Sequence, residues 1–337
     1  MKFNMFHLRV LTIYEIVSSV NPSITPDRQN LIEAAHGDKL EEAFKMLHCH
    51  VHCKSAAESI FLDAVRDGHV EKVIVLLQCP KVSVNAREPT REDTALILAV
   101  RGGWDYIVDL LLRAKKEEEV INVNAQSKDG LTALVLATMN RRERAVELLL
   151  RHGATDPNTT ARTKNDSGWT ALMYACHVGS SEIVTLLLAH DKINANLKSN
   201  TGETALIMAC SAPTDEACKE RVVRLLLTGS GAKVDVNAQD VKGWSALIIA
   251  AKKGHGKVVK LLLETSKVNV NAQSVDGWSA LMHAASDGNE GIVQAILNYP
   301  NAKVQGLQNK TGMTALDLAS SGKHKKIAKL LKNYRYS

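Results

Sequence analysis

Aromatic residues are scarce in this sequence: Phe, Trp and Tyr make up 4% of its 337 residues, whereas hydrophobic residues make up 45%. The interior must therefore be filled by Ala, Leu, Val and Ile, a composition typical of thin, closely stacked helices. The chain is also longer than a single compact core usually allows. Composition and length together favour a repeat array over one globular domain.

The chain also lacks a general excess of one charge. Its 42 basic and 36 acidic residues give a net charge of +6, and the whole excess lies after Asp317, where no acidic residue follows. The basic residues of this tail are Lys323, Lys325, Lys326, Lys329, Lys332 and Arg335. A globally basic binding surface is not indicated. We interpret the tail as a solvated cap, with docking to an acidic surface as the alternative.

Regular cysteine spacing and long apolar runs are missing as well. Six cysteines without a repeated framework indicate thiols in a reducing compartment. No run approaches the roughly 20 apolar residues that span a bilayer. Between Met5 and Val20, three polar residues (His7, Arg9 and Glu15) interrupt the apolar stretch, which leaves no clean secretory core. We therefore expect a cytoplasmic protein, in the host cytoplasm if its source is microbial or viral.

What the chain does contain is an internal repeat. A tripeptide of Thr or Ser, then Ala, then Leu begins at Thr94, Thr132, Thr170, Thr204, Ser245, Ser279 and Thr314. After most copies come a Gly-containing turn, a block with paired leucines and an extended segment typified by Val270-Asn271-Ala272. Two weaker copies lie near Leu31 and Ser59, which makes nine units from about residue 29 onward. Each unit is predicted to be a helix, a turn, a second helix and an extended finger.

These residues resemble the ankyrin repeat, whose motif combines Gly-x-Thr-Pro-Leu-His, a small-residue helix, Gly-His, a helix with paired leucines, and Val-Asn-Ala. Here the motif reads Gly243-Trp244-Ser245-Ala246-Leu247, Ala250-Ala251, Gly254-His255, Leu261-Leu262 and Val236-Asn237-Ala238. The resemblance implies an all-α ankyrin-repeat solenoid of helix-turn-helix units with β-hairpin-like fingers. Residues 1–28 would form an N-terminal extension or cap, and residues 29–337 an array of about nine repeats with a basic C-terminal cap.

The sequence departs from that motif in a consistent way. Ala stands in place of the usual Pro, which keeps helix propensity without the rigidity that suits Pro to a first helical turn. The usual His is replaced by Ile97, Val135, Met173, Ile207, Ile248, Met282 or Asp317. An apolar side chain at this place exchanges a hydrogen bond between units for packing area. We expect the repeats still to stack.

Asparagine recurs at one position of the finger, as Asn85, Asn124, Asn196, Asn237 and Asn271. Asn tolerates left-handed backbone geometry and can cap its own turn, which predicts a local structural role. The resemblance adds a second possibility, because in the ankyrin family this Asn can be hydroxylated by an oxygenase.

Motifs for catalysis are not found. The densest cluster of potential ligands runs from His48 to Cys53, and on a helix it could supply a tetrahedral zinc set. Its register places it instead at a helix end and finger, so we interpret these side chains as loop residues and expect no metal or cofactor. No nucleophile elbow, Walker loop or His-Glu-x-x-His pair is present, and we expect no enzyme.

Tryptophan has a regular position, since three of the four follow the finger glycine directly: Trp169, Trp244 and Trp278. By family register this position lies at the finger tip near the concave groove, where an exposed aromatic residue suggests a contact surface. The alternative is that each indole stiffens the array by lying on the neighbouring finger. The candidate partner-binding residues are Trp169, His177, Glu203, Trp244, Lys252, Lys253, Trp278 and Asp287.

Two functional hypotheses follow. The first is a monomeric scaffold or adaptor that binds a partner protein, rather than a membrane, through the concave face and finger tips of units five to eight. The second is a nucleotide or single-stranded nucleic-acid sensor that stacks bases on the Trp residues and pairs phosphates with Lys252 and Lys253. Acidic residues in the next unit (Asp276, Asp287 and Glu290) dilute the positive charge, so the first hypothesis is preferred.

Overall fold

A computed structural model describes residues 54–78, 82–114, 119–161, 168–229 and 233–334. The proposed extension 1–28, the first repeat near Leu31 and the cluster from His48 to Cys53 lie outside these residues. The chain divides into two compact bodies, Met1–Lys128 and Asp129–Ser337. The described residues form sixteen helices, and none of them lies in a β-strand. The prediction of an all-α repeat fold is confirmed.

The first body contains four described helices, which make up units two and three of the predicted repeat. They are α1 (Lys54–Arg66), α2 (Val70–Leu77), α3 (Ala95–Gly102) and α4 (Asp105–Arg113). Helix α1 packs against α2 and α3, and α4 packs against α3 and α2. Each unit is thus a helix pair, and first helices contact first helices.

The second body contains twelve helices, which make up units four to nine. They are α5 (Ala133–Met139), α6 (Glu143–Arg151), α7 (Ala171–Val178), α8 (Ser181–Leu188), α9 (Ala205–Ser211), α10 (Glu216–Thr228), α11 (Ala246–Lys252), α12 (Gly256–Glu264), α13 (Ala280–Ser286), α14 (Glu290–Leu297), α15 (Ala315–Ser321) and α16 (Lys325–Asn333). The odd-numbered helices form an inner row in chain order, and the even-numbered helices form a parallel outer row.

The recurring tripeptide sets the start of each inner helix from α3 to α15. Its Thr or Ser is the N-cap, and the side-chain oxygen accepts a hydrogen bond from the backbone N–H three residues later, as from Ile248 to Ser245 at 3.3 Å. The Ala that replaces the family proline is therefore the first helical residue. There its high helix propensity is useful and the rigidity of proline is dispensable.

The position of the usual family His is buried in the inner helices α3 to α13. Side chains at this position are at most 1% exposed and belong to Ile97, Val135, Met173, Ile207, Ile248 and Met282. The final unit differs because Asp317 is exposed and completes a capping box with Thr314. In the second body, packing area has therefore replaced a polar contact wherever another unit follows.

The finger asparagines do not have the role that their residue type suggested. None takes a left-handed backbone, because the positive-φ residues other than glycine in the described ranges are Glu92, Arg141, Asn301 and Lys323. Instead, Asn237 joins its finger to the next one: its Nδ2 donates to the Lys267 carbonyl at 2.8 Å, and its Oδ1 accepts from the Asn269 N–H at 2.6 Å.

The same pair of hydrogen bonds recurs along the fingers, at Asn85, Asn158, Asn196 and Asn271. Asn158 follows Asp-Pro rather than Val, so the Val-Asn-Ala motif did not identify it. These side-chain amides form hydrogen bonds with backbone N–H and C=O groups of the next finger. Without a β-strand partner, those groups would otherwise bond to water.

The finger tips also depend on close approach between neighbouring units. Gly243 has a φ of 74°, and a Cβ atom there would lie 2.8 Å from the backbone nitrogen of Val275. That nitrogen donates to the Lys242 carbonyl at 2.9 Å. Glycine is required at this tip both for its left-handed backbone and for the hydrogen bond that joins the two fingers. Across the described ranges, we find no helix with the length and apolar character needed to cross a bilayer.

Replacing Asn237 by Ala should remove both hydrogen bonds to the next finger and lower the free energy of unfolding by about 1–2 kcal/mol. Urea denaturation followed by far-UV circular dichroism would measure the change. The matched control is Asn140→Ala, which truncates an exposed Asn at the end of α5. Equal loss in the two variants would contradict the role assigned to the finger amides.

Candidate functional site

In each body, the inner helices place three positions of each unit on one surface of that body, which we call the finger-side face. The first position is the residue immediately before the N-cap. The other two are the residues five and eight positions after that first position. In unit five, Trp169 precedes the cap, and its ring centroid lies 5.0 Å from that of Tyr174 and 5.1 Å from that of His177. The predicted pair Trp169 and His177 is thus brought together, with Tyr174 as a third aromatic neighbour.

The eight-residue spacing brings side chains together in other units as well. In unit seven the Lys252 ammonium lies 4.3 Å from the centroid of the Trp244 ring, within the range of a cation–π interaction. In unit three, Arg101 Nε donates to the buried carboxylate of Asp93 at 3.0 Å. The finger-side face therefore accepts aromatic, cationic or ionic pairs on the same backbone.

Units seven and eight share a continuous stack of rings. His283 lies between two indoles, with its centroid 4.6 Å from Trp278 at an interplanar angle of 26° and 5.2 Å from Trp244 at 32°. We call Trp244, His283 and Trp278 the aromatic stack. Lys252 lies over the same Trp244 ring, so a cation also contacts the stack.

His283 is held in its neutral form by this environment. It is 8% exposed, and burial together with the nearby Lys252 cation lowers its pKa from 6.5 to about 4. In the described part of the chain, its buried Nε2 atom has no hydrogen-bond partner. Leaving a polar atom buried and unpaired costs about 1–3 kcal/mol, so stability alone does not explain a histidine here.

The three finger tryptophans are half-buried, which corrects the expectation that they would be exposed. Trp169 packs on side chains of its own inner helix, while Trp244 and Trp278 enclose His283 from two adjacent units. Each indole therefore contributes to packing and still has surface in contact with water. The binding and stiffening roles are compatible in this geometry.

The remaining candidates lie close to these clusters in register. Glu203 is half-buried at the position that Trp244 occupies one unit later, and its Oε2 accepts from the Thr201 hydroxyl at 2.8 Å. Lys253 is exposed, and its Nζ donates to the Ser211 carbonyl at 3.3 Å. Asp287 is exposed at the end of α13, one turn beyond His283.

Sequence reasoning missed two residues of this face and two of the finger tips. Tyr174 and His283 contact tryptophans from the fifth position of the spacing, where other units have Met208 and Ile249. The other two are Val241 and Val275, which are 64% and 58% exposed at equivalent places in adjacent finger tips. In the sequence, the two valines could have been identified as apolar residues within otherwise polar turns.

The side chains of this face can form stacking, hydrogen-bonding and charge contacts. Burial raises the pKa of Cys210 to about 12 and also raises that of Cys176, so neither thiol is a ready nucleophile. In the ranges that the structure covers, no group of three or more His, Cys, Asp or Glu side chains is arranged to hold a metal ion.

The comparisons with known proteins agree on one family. The profile described as ankyrin repeats (3 copies) matches residues 61–161, 158–227, 193–274, 215–305 and 266–337. No curated protein matches the sequence.

Two solved structures are similar to this chain. The ankyrin repeat domain of Bcl-3, a member of the IkappaB protein family, is 28% identical with a TM-score of 0.60, over 72% of this chain and 100% of that domain. The ankyrin repeat protein EF0377 is 24% identical with a TM-score of 0.55, over 62% of this chain and 98% of that protein, and this second similarity supports the fold alone. With profile matches that cover most of its length, this chain belongs to the ankyrin repeat family.

Proposed function

We propose that this protein is an interaction scaffold or adaptor that binds a partner protein through the finger-side face and finger tips of units five to eight. The observation that carries the proposal is the aromatic stack, in which large rings remain half-exposed beside two exposed valines. Ankyrin repeat proteins generally mediate protein–protein interaction, which supports this assignment. The chain would act through binding alone, as a monomer in the cytoplasm.

The energetics of the stack support a binding role. The inter-unit cores are already filled by Ala, Leu, Val and Ile, so packing does not require indoles outside them. Trp is enriched among the residues that dominate binding energy, especially where neighbouring groups exclude water. Val241 and Val275 extend this apolar surface to the finger tips, where burial against a partner would be favourable.

The second candidate function is binding of a nucleotide or single-stranded nucleic acid. It is supported by the contact between Lys252 and Trp244, since a base could stack on the indole while the ammonium meets a phosphate. Units seven and eight also contain three aspartates, whose negative charge would repel a continuous polyanion: Asp240, Asp276 and Asp287. Binding that weakens steeply with salt would favour this alternative.

Changing Trp169, Trp244 and Trp278 together to Ala should weaken partner binding by at least about tenfold, because truncating one hot-spot aromatic residue can cost 2 kcal/mol or more. Since the rings are half-buried, we also expect a loss of stability of about 1–3 kcal/mol. Partners captured from cytosol by the intact chain would be titrated against each variant, with affinity expressed per folded molecule.

The matched control is Trp104→Ala, which removes the fourth tryptophan. Trp104 is 39% exposed, lies outside the finger-side face, and donates from its Nε1 to the Arg66 carbonyl at 3.1 Å. If the control loses as much affinity, or if the triple variant loses stability while its affinity is unchanged, the tryptophans are structural and the proposed face is wrong.

Replacing His283 by Phe should keep the ring stack and remove the unpaired Nε2 atom, which we expect to stabilise the fold by about 1 kcal/mol at pH 7. In the unfolded state His283 has its ordinary pKa of 6.5, whereas in the folded state its pKa is about 4. Between these values the unfolded state binds a proton that the folded state does not. The stability of the parent protein should therefore fall over this window as pH decreases, and the variant should lack that contribution.

The difference in urea midpoint between parent and His283→Phe should accordingly widen from pH 7 to pH 4. His177→Phe is the control, since it replaces a half-buried histidine that contacts only Trp169 among the described rings. A His283→Phe variant that is less stable at pH 7, with an unchanged pH dependence, would show that the imidazole is well accommodated in the stack.

A further inference from the structure

Two adjacent cations at the end of α11 have no ion-pair partner among the described residues. Within the described residues, neither Lys252 nor Lys253 forms an ion pair, although both are exposed. Several other exposed lysines of the same body do: Lys257 lies 3.5 Å from Glu220, Lys310 lies 3.1 Å from Asp276, and Lys326 lies 3.8 Å from Glu290. Of the two, Lys252 contacts the aromatic stack, over the Trp244 ring.

Both ammonium groups are held in place before any partner arrives. Lys252 Nζ is positioned over the Trp244 ring, and Lys253 Nζ donates to the Ser211 carbonyl in the preceding unit. Immobilising a long, rotamer-rich side chain on binding costs about 0.5–1.5 kcal/mol, and this cost is reduced when its position is already restricted. Since the Trp244 ring borders Lys252, an anion paired with Lys252 would also be less screened than in bulk water.

Positive charge on this face is local rather than extended. Asp276 is paired with Lys310, and Asp240 accepts hydrogen bonds from the backbone of Lys242 and Trp244 within its own finger. Asp287 lies one unit beyond Lys253 at the equivalent position and would repel a second anion there. This distribution fits one or two carboxylates better than a run of phosphates.

We propose that Trp244, Lys252, Lys253 and Trp278, which we call the lysine–tryptophan face, bind an acidic segment of the partner protein. One or two Asp or Glu carboxylates pair with the two ammonium groups. An aliphatic or aromatic side chain next to them in the segment packs on the indoles and on the finger-tip valines. This inference rests on the proposed function and names the chemistry of the segment that the face recognises.

The test uses a displayed library of random peptides about twelve residues long, selected on the full-length chain. Recovered peptides should be enriched in Asp or Glu adjacent to large apolar residues. Their Kd should rise by about tenfold or more in a double variant with Lys252→Ala and Lys253→Ala, because charged contacts at a desolvated interface are strongly coupled.

The matched control combines Lys260→Ala with Lys267→Ala. It removes two exposed positive charges from the same unit and gives the chain the same net charge, but it leaves the lysine–tryptophan face intact. This control should change Kd by less than about twofold, since exposed charges away from a contact contribute little.

Other outcomes separate this inference from the proposed function. Peptides without acidic residues whose binding still requires Trp244 and Trp278 would overturn the acidic segment and leave the proposed face standing. Peptides that bind independently of both the tryptophans and the lysines would overturn both. Failure to enrich acidic peptides, or tighter and more salt-sensitive binding of a twenty-nucleotide dT oligomer, would also overturn the inference.

Discussion

The structure depends on the packing of each unit against its neighbours. Most of its helices have seven to nine residues, which is too short for a helix to be stable in water without tertiary contacts. Helix α11 buries Ala246, Leu247 and Ile248 by packing between α9 and α13 and against α12. The finger amides and the close approach at Gly243 reinforce the same interface with hydrogen bonds.

Because the interfaces between units provide stability, the finger-side face can vary. The residue before the cap and the residue eight positions later pair as Asp93 with Arg101, as Trp169 with His177, and as Trp244 with Lys252. One backbone geometry thus supports an ion pair, an aromatic pair and a cation–π pair. The chemistry that this face presents is set by side chains that the core does not need.

The sequence predicted the parts of the fold that local rules determine. The Thr/Ser-Ala-Leu tripeptide located the inner helices because an N-cap acts within three residues. The finger glycine likewise gave the register of Trp169, Trp244 and Trp278. What the pattern could not supply were contacts between units: Asn237 bonds to the next finger, and the His283 ring contacts the Trp244 indole of the preceding unit.

The same limitation explains part of the exposure assigned to Trp244. Trp169 and Trp278 contact rings of their own units, whereas Trp244 contacts a ring of the next unit. The Trp244 ring contacts His283, which lies 39 residues later in the sequence and in the adjoining unit. The resulting stack buries an unpaired imidazole nitrogen, and such a group is often retained in proteins for function at the expense of stability.

The most direct test of this account is hydrogen–deuterium exchange of the full-length chain, free and bound to a partner captured from cytosol. We expect partner-induced protection in Trp244–Lys253 and Trp278–Asp287, which contain the aromatic stack and the ends of α11 and α13. Protection confined to the outer helices α10, α12 and α14, with these two segments unchanged, would contradict it.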